Sequence, residues 1–241
     1  MASELLVISS RFCGPPKSGN GGYVCGRVAT HVPGVAAVRL KAPPPLETEL
    51  RIDASESRAQ LIQGSNVIAE ANVANLDLTP PAAPSFSEAE EAAKSYTGFT
   101  RHVFPRCFVC GPQRAHGDGL RIFPGSIAAR SIVAAPWIPD PSLADGSNRV
   151  RSEFLWAALD CTSAFAVLSI PEGKAIVLGE LCARIDDSVT PNEKCIVIGW
   201  SLQIDGRKRF AGSAVFSGSG HLVAVGRATW IEVRSSAFGG Q

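Results

Sequence analysis

The chain has 241 residues, 45% of them hydrophobic, with 23 basic and 22 acidic side chains giving a net charge of +1. That supplies enough apolar chain for one or two globular domains, while the balanced charge offers no basic stripe for nucleic acid and no acidic tract for a disordered tail. The opening "MASELLVISSRF" lacks the basic region and long apolar run of a secretory leader, and no apolar stretch approaches a membrane span. A cytoplasmic protein with no membrane and no nucleic-acid partner is expected, and seven scattered cysteines suit reduced thiols.

In chain order, the first informative run is "SGNGGYVCGRVATH", Ser18 to His31. Glycines and an asparagine lead into an apolar helix from Tyr23, interrupted by Gly26. Glycines at a helix start leave first-turn N–H groups approachable, where the helix dipole favours negative charge. A tight turn with close packing is the other reading of the same residues. Strand patterns follow in "VRLKAPPPLETELRI" from Val38, "ESRAQLIQ" from Glu56 and "QGSNVIAEANVANLDL" from Gln63. A proline-rich stretch from Thr79 with a Ser/Glu/Ala segment, a short helix by composition, then reads as a linker.

The second part repeats that order. "RSEFLWAALDCTSAFAVL" from Arg151 is a second helix, and "ARIDDSVTPNEKCIVI" from Ala183 matches the strand, proline turn and strand that start at Val38. "GRKRFAGSAVF" from Gly206 and "SGSGHLVAVGRATWIEV" from Ser217 complete it. The expected class is α+β, with two units at 1–80 and 107–241 and a linker at 81–106. Two antiparallel sheets edge to edge, each wrapped round one helix, would protect the strand edges.

One pair of cysteines has metal-like spacing, Cys107 and Cys110 in "PRCFVCGPQRAHGDGL". A structural zinc takes four ligands, a second knuckle is missing, and His102 and His116 are the only neighbours of the right type. The motif therefore reads as a structural turn, with no metal and no cofactor expected.

A helix wrapped by an antiparallel sheet, duplicated in one chain, resembles the hotdog fold in its double form, as in thioesterases of the acyl-CoA thioesterase II type. "CFVCGPQRAHGDGL" is similar to the C-x-x-C-G-P…G-L segment of small thioesterases of the phenylacetate-pathway type. Those enzymes carry His-Gly-Gly at the helix start and, after six further residues, a catalytic Asp. Here Asn20, Gly21 and Gly22 take the first position while Ala29 stands at the acid's place. In the second half Asp160 is present, but Ser152 and Glu153 replace the glycines. Each half keeps what the other lacks, as one composite site across a fused pair would.

The resemblance implies hydrolysis of an acyl-CoA or another acyl thioester, and double hotdogs often assemble further as homo-oligomers. Amides at Gly21 or Gly22 would stabilise the oxyanion, with Asn20 as an added donor or helix cap. Asp160 would serve as general base or nucleophile. Its helical neighbours Trp156, Ala157, Ser163 and Ala164 are apolar or small, so the carboxylate is expected on a buried face. Tyr23, Thr162, Ser163 and Glu180 are candidates for contact with substrate. The strand hydroxyl of the family has no counterpart, which keeps a non-catalytic acyl-binding protein as the alternative.

Overall fold

The computed structural model describes residues 2–169 and 171–238. The first part of the chain forms β1 (Ala2–Val7), α1 (Gly21–Ala29), β2 (Ala36–Leu40), β3 (Glu49–Ala54), β4 (Arg58–Gln63) and β5 (Asn66–Val73). After α2 (Phe86–Ala93) come β6 (Gly125–Ile127), β7 (Ile132–Trp137) and α3 (Ser152–Phe165). The long strands β8 (Lys174–Ile185), β9 (Cys195–Asp205), β10 (Lys208–Phe216) and β11 (Leu222–Arg234) finish the described chain.

All strands belong to one antiparallel sheet in the order β1-β3-β4-β5-β2-β8-β11-β10-β9-β7-β6. The expectation of two sheets is corrected here. Residues Ala36 to Arg39 of β2 pair with Ala183 to Glu180 of β8, so the edges that two sheets would expose satisfy each other's backbone groups. Strand β3 alternates exposed and buried positions, burying Leu50, Ile52 and Ala54 on one face. The tight turns after β4 and β9 run through Gly64 (φ 58°) and Gly206 (φ 55°), in the left-handed region that glycine occupies without strain.

Strands β6 and β7 were not marked by the sequence pattern, because Pro136 lies within β7 and argues against a central strand. The short β6 reaches only Ile132 to Ala134 of β7, leaving Pro136, opposite Ile196 of β9, with no paired strand on its other side among the described residues, a position where proline is tolerated.

Helix α3 is buried at every position from Glu153 to Ala164, which explains a sequence apolar almost all the way round. It packs on β7 to β11, whereas α1 packs on β2, β4 and β5 and also on β8. The two helices lie directly against each other. A Cβ at Gly26 would come 2.5 Å from Glu153 Cα, and one at Gly22 would lie 2.7 Å from the Trp156 carbonyl oxygen and collide with Asp160 Cβ. The glycines that interrupt α1 therefore mark its crossing with α3. Helix α2 starts with a capping box of Ser85 and Glu88 and covers β6, β7 and β9. Among the described residues, no helix is long and apolar enough to cross a membrane.

Candidate functional site

Asn20 caps α1 by accepting the Tyr23 N–H on Oδ1 at 2.9 Å. With that oxygen fixed, Nδ2 faces α3 and donates to Asp160 Oδ2 at 2.9 Å. The Gly22 N–H donates to the same oxygen at 2.8 Å. Asn20 and Asp160 are each 2% exposed, so two buried polar side chains from distant parts of the sequence satisfy one another where the helices cross.

The other carboxylate oxygen, Oδ1, has no hydrogen-bond partner among the described residues. Burial pushes the Asp160 carboxyl up to about 7, against the hydrogen bonds from Gly22 and Asn20 that pull it down. Such a group is poised to take and release a proton near neutral pH.

Asp160 also lines a cavity of about 1550 Å³, together with Asn20 and Gly21. The Gly22 amide is occupied by Asp160, so no carbonyl can lie between those two groups. The Gly21 amide makes no hydrogen bond among the described residues and stands at the positive end of the α1 dipole. Of the two glycines expected to donate, Gly21 is the one left open to the cavity.

Four expected contact residues lie outside the cavity wall. Tyr23 stacks on Phe12 with ring centroids 4.2 Å apart, in a cluster with Phe108 and Phe154. Thr162 is fully buried, with its backbone carbonyl turned towards Gly199 of β9. Glu180 pairs with Arg39 across the β2–β8 seam at 2.8 Å, and Arg39 is 63% exposed. Such a solvated pair contributes at most about 1 kcal/mol. Glu180→Gln is accordingly expected to change stability by no more than about 1 kcal/mol, measured by chemical denaturation.

Ser163 acts through a neighbour. Its Oγ donates to the Asp160 carbonyl at 2.7 Å and accepts the indole N–H of Trp230 at 2.9 Å, and Trp230 lines the cavity. Ser163→Ala would leave that indole N–H unpaired in a buried place. A loss of about 1–3 kcal/mol in denaturant unfolding is expected.

The sequence reading missed the rest of the wall around Asp160. Cys107, Cys110, Cys161 and His102 all line the same cavity, and Asn20 Nδ2 lies 3.9 Å from Cys107 Sγ and 3.8 Å from Cys161 Sγ. The C-x-x-C spacing was visible, but its third thiol belongs to α3 and only the fold brings it there. Another part of the wall is apolar, with Phe165, Leu168, Ile176 and Leu178. Three exposed basic side chains, Lys17, Lys41 and Arg101, stand at the rim.

No protein-family model and no curated relative matches the chain. Solved structures do. An acyl-CoA thioesterase II, TesB2, from Mycobacterium marinum superimposes with a TM-score of 0.60 at 13% identity, covering 98% of this chain and 94% of that one. A TesB protein from Mycobacterium avium subspecies paratuberculosis gives 0.57 at 14% identity, over 89% and 87%. A protein of unknown function with a hot dog fold from Alicyclobacillus acidocaldarius gives 0.58 at 10% identity, over 96% and 93%. At these identities the likeness is one of fold and leaves the chemistry to the site. The chain has a hotdog-type fold, similar over nearly its whole length to that of acyl-CoA thioesterase II proteins.

Proposed function

We propose that the protein hydrolyses acyl thioesters of coenzyme A in the cavity beside the α1–α3 crossing. The observation that carries this reading is the Asp160 carboxylate, in a residue that lines the cavity, buried, held on one oxygen by Gly22 and Asn20 and left unpartnered on the other among the described residues. Asp160 takes a proton from water as the water oxygen attacks the thioester carbonyl. The Gly21 amide and the α1 dipole stabilise the oxyanion. When the tetrahedral centre collapses, the C–S bond breaks, the thiolate leaves with the proton returned by Asp160, and the carboxylate is restored.

The cavity exceeds the roughly 300–1,000 Å³ that drug-sized ligands fill, and its apolar wall suits an acyl chain. Lys17, Lys41 and Arg101 at the rim suit the phosphates of the carrier. The thioesterase II proteins of like fold, named for acyl-CoA substrates, support the same class. We read the chain as a fused pair of hotdog units, 1–80 and 107–241 with a linker at 81–106, sharing this one composite site. Support comes from the packing of the helices, with α1 on β2, β4 and β5 of its own part and reaching β8 across the seam, and α3 on β7 to β11.

The test is a panel of acyl-CoA thioesters of graded chain length, read by free-thiol release, with wild type beside Asp160→Asn. Turnover by wild type that the substitution removes is expected. Saturable binding with no turnover anywhere in the panel would replace hydrolysis by acyl-thioester binding.

A further inference from the structure

Three thiols in the cavity wall have no part in the proposed hydrolysis. Cys107 and Cys110 come from the "CFVCG" turn, and Cys161 from α3, 54 residues beyond Cys107. Their sulfurs all lie within 4.8 Å of one another, with Cys107 Sγ 3.7 Å from Cys161 Sγ. Four sulfurs around a zinc ion at a Zn–S distance of about 2.3 Å stand about 3.8 Å apart, so the Cys107–Cys161 pair already has the spacing of a tetrahedral thiolate site and the other two separations exceed it by no more than about 1 Å. All three cysteines are buried, yet each reaches the cavity.

The turn is built to hold its sulfurs. The Gly111 N–H donates to the Cys107 carbonyl at 2.9 Å, and a Cβ at Gly111 would lie 2.5 Å from that oxygen. Only glycine lets the turn close so tightly after the second cysteine.

His102 supplies an outer contact rather than a ligand. Its Nδ1 accepts the Phe104 N–H at 2.9 Å, which puts the proton of the neutral ring on Nε2, 3.3 Å from Cys110 Sγ. The imidazole is thus oriented to donate to the sulfur, as outer partners of metal ligands do. Asn20 Nδ2 stands near the other two sulfurs. Among the described residues no fourth His, Cys, Asp or Glu joins the three within the same span.

We propose that Cys107, Cys110 and Cys161 form a three-thiolate site for a soft divalent cation of the zinc type, with its fourth position open to the cavity and taken by water. Sulfur donors in tetrahedral array select such a cation over magnesium or calcium, and three protein ligands with one open position is the arrangement of zinc sites that meet a substrate. Binding displaces the thiol protons to solvent and involves no change of oxidation state. The site is argued from its own geometry and does not depend on the thioesterase reading.

The experiment uses the full chain, reduced with a phosphine, stripped with a chelator and titrated with Co²⁺. One Co²⁺ per chain is expected, with thiolate-to-cobalt charge-transfer absorption that one equivalent of Zn²⁺ removes. Cys107→Ser, Cys110→Ser and Cys161→Ser should each weaken Co²⁺ binding by at least about tenfold, and His102→Gln by about 10–100-fold. Cys195→Ser, in β9 and outside the cluster, should leave it unchanged. Absence of the charge-transfer band in folded, reduced wild type at excess Co²⁺ would overturn the site, whatever the variants do. Thiol release from acyl-CoA on the same sample reports hydrolysis separately, so either reading can fail alone.

Discussion

Asp160→Asn is expected to lower kcat for thioester hydrolysis by about 10²–10⁴-fold, the usual contribution of a positioned general base, without loss of folded structure. The substitution keeps the shape of the side chain. Its amide oxygen can still accept from the Gly22 N–H and Asn20 Nδ2, which both point at Oδ2. The amide nitrogen then occupies the place of Oδ1, where it has no lone pair to take a proton from water. Because a buried carboxylate is exchanged for a neutral group, thermal stability at neutral pH should be equal or higher. Asp160→Ala would instead strand both donors, at about 1–3 kcal/mol for each, and mix folding with chemistry. The pair of measurements is initial rate and thermal midpoint. An asparagine variant with undiminished turnover would remove Asp160 from the reaction.

A second large effect, on stability, is expected in α1. Gly22→Ala and Gly26→Ala each put a methyl group into backbone of the facing helix, at Trp156 O and Glu153 Cα respectively. Neither contact is the free end of a flexible side chain, so the helices must move apart. Overpacking of this kind costs about 1–3 kcal/mol and sometimes more, against a gain of about 1 kcal/mol in helix propensity. A chain of this size loses about 2–4 °C in Tm for each kcal/mol. Combined, the two substitutions should show a clear fall in a thermal melt. Gly22→Ala should also cut turnover more than Gly26→Ala, because its methyl group displaces Asp160 itself. An unchanged Tm in both variants would mean that the helices do not cross as closely as described.

These two sites show how much of the molecule was legible in its sequence. The glycine-led start of α1 admitted two readings, exposed amides or close packing, and the structure uses both. Gly22 and Gly26 let the helices meet, while Gly21 reaches the cavity. The burial of Asp160 followed from its apolar neighbours on one helix, a local signal. Its place beside Asn20 was expected only from the resemblance to a fused hotdog pair, since the local pattern around each residue says nothing of the other. Tyr23, Thr162 and Ser163 share the helices of Gly22 and Asp160 and are expected near substrate. One step along a helix turns a side chain by about 100°, however, and that rotation carried them into the core or onto Trp230.

What the sequence by itself determined is local. The strands from Val38 onward, the two apolar helices and the turn around Cys107 and Cys110 follow from periodicity, glycine placement and capping, which act over a few residues. Tertiary structure alone decided that β2 and β8 join everything into one sheet, that Asn20 reaches Asp160, and that Cys161 meets the C-x-x-C turn. Those contacts span long stretches of chain. They are set by which buried surfaces fit together and by the need of buried polar groups to find partners, neither of which is recorded in the spacing of neighbours.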